Sequence, residues 1–161
     1  MTGFRCGLGY DAHRFAEGRP MMLCGVNVPC GFGLAGHSDA DAPLHALTDA
    51  LLGALALGDI GKLFPDSDEA FRNADSIVLL QKAYSLEEFR LWNISSIDIT
   101  IIAQKPKIAP YTDAMRKRIA SALNIGTDCV SVKGKTTEGM GFCGRGEGLQ
   151  SFAQVLLERK G

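Results

Sequence analysis

The element order legible in these 161 residues is β-β-α-α-β-α-β-β, which predicts an α+β fold with helices over one face of a sheet. Three observations carry that prediction. A Leu-rich stretch at 42–55 repeats at helical period, an Ile run at 94–104 alternates like a half-buried strand, and the length suits one domain spanning 1–161 with one core.

Taken in order, residues 3–14 mix Gly, aromatic and alternating positions, and 21–28 (MMLCGVNV) is a second apolar run beyond an EGRP turn, so the two read as a hairpin-like pair. CGFGLAG at 30–36 has no apolar period and reads as a loop with few ordering contacts, able to close over something. A helix follows, with Asp41 as N-cap, Pro43 in the first turn and Leu44, Leu47, Leu51, Ala54 and Leu55 as its stripe. Residues 58–71, punctuated by Gly and Pro, read as irregular, and 74–90 as a second helix. Ile94, Ile97, Ile99 and Ile101 mark a strand ended by Lys105-Pro106. Pro110 opens a third helix to about Leu123, and 130–136 alternates as a strand. GFCGRGEG reads as a Gly-rich turn before a last apolar segment whose type the period does not decide.

Composition narrows the function. Seventeen Lys+Arg against 18 Asp+Glu leave a net charge of -1, so no global positive field exists to hold nucleic acid or an anionic membrane, and any anion site must be local. Five cysteines without CxxC spacing argue against a disulfide framework or a thiolate zinc knot and for a reducing compartment. No signal-peptide pattern or membrane-length apolar run is present, so a cytoplasmic location is expected. Gly is enriched, at 19 of 161 residues, about 12% against an average near 7%, which makes contact between backbone and ligand an expectation.

The chemistry clusters early. In an extended GYDAHRF, Asp11 and His13 project to one face, because strand side chains repeat every second residue. His45 shares a helix ridge with Asp41 and Asp49 beside the Leu stripe, so its ring can face that strand. Asp plus two His with an open fourth position is a catalytic zinc set, with Asp49 available to orient a ligand from behind. The bland alternative is a surface Asp and a hydrogen-bonded core His. VKGKTTEG offers Lys133, Lys135, Thr136, Thr137 and Glu138 for a diphosphate with a divalent ion, or else a strand edge guarded by lysines. Arg145 and Glu147 read equally as an exposed salt-bridged turn. Lys107 and exposed backbone in AQKPKIAPY could read a base and a phosphate. Asp59, Asp66 and Asp68 suit turns and caps, and His37 and Ser38 border the Gly-rich loop.

Together GYDAHRF, GHSDADAPLHALTDALLGALALGDIGKLFPDSD, DITIIAQKPK, KTTEG and GFCGRGEG resemble the 2-C-methyl-D-erythritol 2,4-cyclodiphosphate synthase family over essentially the whole chain. The resemblance implies a four-stranded mixed sheet with helices on one face, in a topology like that of the Bacillus-type chorismate mutase. It implies a homotrimer with sheets around the axis and active sites between subunits. The implied reaction is attack of the 2-phosphate of 4-diphosphocytidyl-2-C-methyl-D-erythritol 2-phosphate on its β-phosphorus, giving a cyclic diphosphate and CMP in non-mevalonate isoprenoid synthesis. Such an enzyme is formally a phosphorus-oxygen lyase.

By the same resemblance Asp11, His13 and His45 fall on zinc ligands, and Glu138 lies beside a magnesium or manganese ion bridging the diphosphate. His37 and Thr136 match positions of transition-state stabilisation. Asp11, Ala12, His13, His37, Ser38, Asp59, Ile60, Gly61, Phe64, Pro65, Asp66, Ser67 and Asp68 match substrate contacts. Ala103, Gln104, Lys105, Pro106, Lys107, Ile108 and Ala109 match a cytidine pocket supplied by the neighbouring subunit. Lys135, Thr136, Thr137, Glu138, Phe142 and Arg145 complete the set, and Arg145 and Glu147 match a central cavity where isoprenoid diphosphates bind. Lys135 departs from the family, standing where Thr is expected beside the diphosphate; Cys143 takes a usual Thr or Ser position near the axis, and residues 89–92 replace a Gly-containing helix exit. The competing readings are a zinc phosphohydrolase, which would release CMP without cyclic product, and a trimeric isoprenoid-diphosphate binding protein without catalysis.

Overall fold

A computed structural model describes residues 3–65, 67–71 and 73–161. Its main sheet has five strands in the order β4-β1-β7-β5-β6, one more than expected. The strands are β1 (Phe4–Ala16), β4 (Gly33–Leu34), β5 (Trp92–Ile102), β6 (Val130–Lys135) and β7 (Gly148–Arg159). Only β5 and β6 run parallel. Their crossover holds the helix α4 (Thr112–Leu123), since parallel neighbours need a long connection.

Two expectations for the first forty residues change. The run at 21–28 does not pair with the first strand; it folds on itself as a small separate ribbon, β2 (Met22–Leu23) and β3 (Val26–Asn27). β1 pairs instead with the distant β7, from Phe4 opposite Glu158 to Arg14 opposite Gly148. The Gly-rich segment is also better ordered than a loop. β4 closes the sheet edge against Phe15 and Ala16, and Leu34 is buried, because the segment contains an apolar residue that the sheet end can cover.

The helix α1 (Ala42–Ala54) follows its sequence signals. The Asp41 carboxylate accepts from the N–H of Leu44, and also from those of Cys24 and Gly25, so this cap ties the helix start to the β2–β3 turn. Leu44, Leu47 and Leu51 are fully buried. The irregular stretch holds a short helix, α2 (Ile60–Leu63), capped by Asp59, and a 3-10 turn at Glu69–Phe71. The expected second helix divides into α3 (Ser76–Tyr84) and a 3-10 turn at Glu87–Leu91. GFCG forms a single turn, α5 (Gly141–Gly144), and the undecided last segment is the strand β7.

Burial alternates along β7, with Leu149, Ser151, Ala153, Val155 and Leu157 covered by helices while Phe152 and Gln154 face out. α1 packs across β1 and β7, α4 packs on β6, and α3 packs against both helices. The opposite face carries Phe4, Leu8, Tyr10 and Phe152, with Leu8 68% exposed. None of the helices among the described residues is long and apolar enough to cross a membrane.

Candidate active site

Strand period and helix period meet at one point. On β1 the odd-numbered residues face α1: an ideal Cβ on Gly7 would lie 1.9 Å from the Ala50 carbonyl oxygen, and one on Gly9 1.8 Å from that of Ala46. Only Gly lets the helix backbone come this close. The next odd positions are Asp11 and His13, and one residue back from Ala46 along α1 is His45. Asp11 Oδ2 lies 2.9 Å from His13 Nε2 and 3.0 Å from His45 Nδ1, and the two ring nitrogens are 3.3 Å apart.

The outer ring nitrogens show which atoms are protonated. His13 Nδ1 is 2.7 Å from the Ala35 carbonyl oxygen, which only accepts, so Nδ1 donates and a neutral ring turns its Nε2 lone pair inward. His45 Nε2 lies 3.0 Å from Ser76 Oγ and 3.2 Å from Ser38 Oγ. Ser76 gives its single hydroxyl proton to Asp39, so its oxygen accepts from His45 Nε2 and the Nδ1 lone pair also points inward. Two imidazole lone pairs and a carboxylate oxygen therefore converge with no hydrogen between them, and repulsion among them is relieved by a shared cation. These residues fit a divalent metal ion held by N and O donors.

Without metal a proton takes that place. Burial alone would raise the Asp11 pKa, but the hydrogen bond and charge of a protonated neighbouring ring, His13 foremost, overcome it and bring the carboxyl down from 3.8 to about 2. Burial alone would lower His13, and the Asp11 carboxylate reverses it, holding the ring above 6.5.

The triad opens into a cavity of about 240 Å³ lined also by His37, Ser38, Asp49, Ile60, Gly61 and Phe64. His37 Nε2 is buried there without a hydrogen-bond partner among the described residues, a polar atom facing a place for ligand. The loop carrying His37 is pinned by Arg19, which donates to the carbonyl oxygens of Gly36 at 2.6 Å and Ser38 at 2.5 Å. Asp49 accepts from the Ile60 N–H at 2.7 Å and so holds the start of α2 to α1, while burial pushes its carboxyl above the ordinary value. Asp59 caps α2 through the Lys62 N–H, Pro65 accepts from the Asp68 N–H, and Asp66 lies outside the described residues.

The remaining candidates gather elsewhere. Ala103, Gln104, Pro106, Lys107, Ile108 and Ala109 line a groove of about 190 Å³ with Gly134, Lys135 and Thr136, which shares no residue with the metal cavity. β7 and β5 separate β1 from β6, a span of about 14 Å at ordinary strand spacing, so the two regions lie apart within one chain. Thr136 donates to Glu138 Oε1 at 3.1 Å and accepts from the Glu138 N–H at 3.3 Å. Glu138 has φ +52°, a left-handed backbone that a non-glycine residue adopts at a cost. Lys133 is paired with Asp98 across β5 and β6 at 2.6 Å, both side chains half-exposed. Arg145 and Glu147 pair at 2.6 Å on the surface, and Cys143 is buried.

Asp39, Ser76, Arg19 and the Ala35 carbonyl escaped sequence reasoning. Asp39 sits inside the HSDAD word as one acidic residue among others, and nothing local joins Ser76 to a histidine 31 positions earlier.

Comparison with known proteins places this geometry. The YgbB family model matches residues 4–158. The chain belongs to the YgbB family. Curated relatives include the 2-C-methyl-D-erythritol 2,4-cyclodiphosphate synthases of Bacillus cytotoxicus and Bacillus mycoides. Each is 54% identical over 157 residues, covering 98% of this chain and 99% of the relative. Among YgbB-like structures, IspF of Plasmodium falciparum in complex with CDP superposes with a TM-score of 0.86 at 36% identity, over 99% of this chain and 98% of that one. A 2C-methyl-D-erythritol-2,4-cyclodiphosphate synthase in its CDP-bound form gives 0.86 at 40% identity, over 95% of this chain and 99% of that one. The bifunctional IspDF of Campylobacter jejuni gives 0.95 at 42% identity over 99% of this chain, which spans 43% of that longer protein.

Proposed function

We propose that this YgbB-family chain is a cyclodiphosphate synthase that converts 4-diphosphocytidyl-2-C-methyl-D-erythritol 2-phosphate to 2-C-methyl-D-erythritol 2,4-cyclodiphosphate and CMP. The observation that carries this reading is the convergence of Asp11 Oδ2, His13 Nε2 and His45 Nδ1 beside the unpartnered His37 Nε2 in one cavity. Support comes from relatives of nearly equal length that bear that synthase name.

An oxygen of the substrate's own 2-phosphate forms a bond to the β-phosphorus, and the bond from that phosphorus to the oxygen bridging the α-phosphate breaks. CMP leaves with that oxygen. The nucleophile is intramolecular, so the chain's task is to fold the substrate into contact and to offset charge. Asp11, His13 and His45 would hold zinc, which when bound supplies positive charge against phosphate oxygens. His37 Nε2 faces the same cavity and can donate to a phosphate oxygen when protonated there. Ser38, Asp59, Ile60, Gly61, Phe64, Pro65, Asp66, Ser67 and Asp68 would enclose the erythritol side. Thr136 would stabilise charge on the diphosphate, and Glu138 would stand beside a magnesium or manganese ion there.

Ala103 to Ala109, with Lys107, would take the cytidine of a neighbouring subunit's substrate, joined by Lys135, Thr137, Phe142 and Arg145. The separation of groove and cavity within one chain and the exposed apolar face of Phe4, Leu8, Tyr10 and Phe152 support a homotrimer with shared sites. Arg145 and Glu147 would line its central cavity. One domain, working as a phosphorus-oxygen lyase in the cytoplasm, completes the reading.

The test is phosphorus NMR of protein, substrate and magnesium, before and after chelation. Equal appearance of CMP and the cyclic diphosphate, lost on chelation and restored by zinc, is the expected result. CMP with an acyclic bisphosphate would make the chain a hydrolase. Binding without turnover would make it a binding protein.

A further inference from the structure

We infer that Asp39 and Ser76 act as positioning residues that fix the tautomer of His45 and so prepare the metal triad before any ion arrives. The inference rests on reading Asp11, His13 and His45 as a metal site.

The carboxylate of Asp39 grips Ser76 twice, accepting the Ser76 N–H at 3.0 Å on Oδ2 and the Ser76 hydroxyl on Oδ1. Oδ1 also accepts the Asp41 N–H at 3.2 Å, which fixes the carboxylate to the start of α1. Ser76 is the first residue of α3 and is buried, so its hydroxyl has few other directions. A hydroxyl has one proton. With that proton spent on a carboxylate, Ser76 Oγ can only accept from His45 Nε2, 3.0 Å away. Ser38 Oγ, at 3.2 Å from the same nitrogen, already accepts from the Ala40 N–H and could turn its own proton toward His45. Asp39 decides between these directions, because a charged acceptor orients Ser76 more strongly than a neutral hydroxyl orients the imidazole. The relay Asp39, Ser76, His45 thus leaves Nδ1 with its lone pair toward Asp11, as a metal requires.

Asp39→Asn tests the direction of the relay. An amide NH₂ in the Oδ2 place would face the Ser76 N–H at 3.0 Å, so it prefers the Oδ1 place, where the conflicting Asp41 N–H is at 3.2 Å. There it donates into Ser76 Oγ, and the Ser76 proton turns to His45 Nε2. The expected result, read by ¹⁵N-histidine NMR of the metal-free chain, is a change of His45 from the Nε2–H to the Nδ1–H form with His13 unchanged. Zinc affinity by competition with a chelating dye should fall on the order of tenfold or more. Ser76→Ala should lose less, since it only frees the ring, and Ser76→Thr should restore wild-type affinity. His45 in the wild-type tautomer in Asp39→Asn, or Ser76→Thr as weak as Ser76→Ala at equal thermal stability, would overturn the proposal. If wild type itself binds no zinc, the metal reading fails while the tautomer measurement still decides the relay. Should Asp39→Asn not fold, the Ser76 pair decides it.

Discussion

Gly9 sits so close to Ala46 that a Cβ on the glycine would lie 1.8 Å from the Ala46 carbonyl oxygen. That contact sets the height of α1 above β1. Two residues further along the strand and one residue back along the helix, Asp11 and His45 meet at 3.0 Å. A packing contact between backbones therefore governs a polar site.

Gly9→Ala should lift α1 and couple loss of stability to loss of metal. The obstacle is backbone on both sides, so overpacking of about 1–3 kcal/mol or more is expected. Denaturant unfolding and a zinc titration on the same preparation check this; a destabilised variant with unchanged zinc affinity would separate packing from site geometry.

His45→Ala should bind less than one zinc per chain and lose turnover while keeping its oligomeric state. Metal analysis after gel filtration measures both. Full zinc occupancy in this variant would remove His45 from the ligand set.

Metal-free protein should show a stability maximum on the acid side of neutral. Asp11 is lowered from 3.8 to about 2 on folding, so its contribution is present above pH 3.8 and is lost as pH falls through about 2. His13 is raised above 6.5, so its contribution is complete below pH 6.5 and is lost as pH rises through its raised value. Both act together between pH 3.8 and 6.5. Urea unfolding with chelator present should show an Asp11 contribution of at most roughly 2 kcal/mol in that window, flattened in Asp11→Asn. With zinc the order changes, because protons compete for His13 Nε2 and affinity should fall as pH drops.

Lys107→Ala should weaken CMP binding on the order of tenfold and leave zinc content unchanged, since the groove it lines shares no residue with the metal cavity. Calorimetric titration with CMP reads the first effect and metal analysis the second.

Leu47→Ala should cost about 2–5 kcal/mol, because Leu47 is fully buried in the stripe that seats α1. A midpoint near wild type in urea would show that the core closes over the gap.

The sequence by itself determined the local elements and the ligand types. Asp41, Pro43 and the Leu stripe specify α1, and the alternating isoleucines specify β5, because capping and periodicity act over a few residues. Asp11 and His13 on one strand face and His45 beside the buried stripe were legible for the same reason. Tertiary structure decided which partners each element takes. β1 joined β7 rather than the nearby run at 21–28, and Leu34 drew a Gly-rich segment into a fifth strand, because alternation names a buried face and leaves the neighbour open. It also decided the direction of hydrogen bonds around the metal triad. Whether His45 turns a lone pair or a proton toward Asp11 depends on where Ser76 spends its single proton, and Asp39, 37 residues away in the chain, receives it.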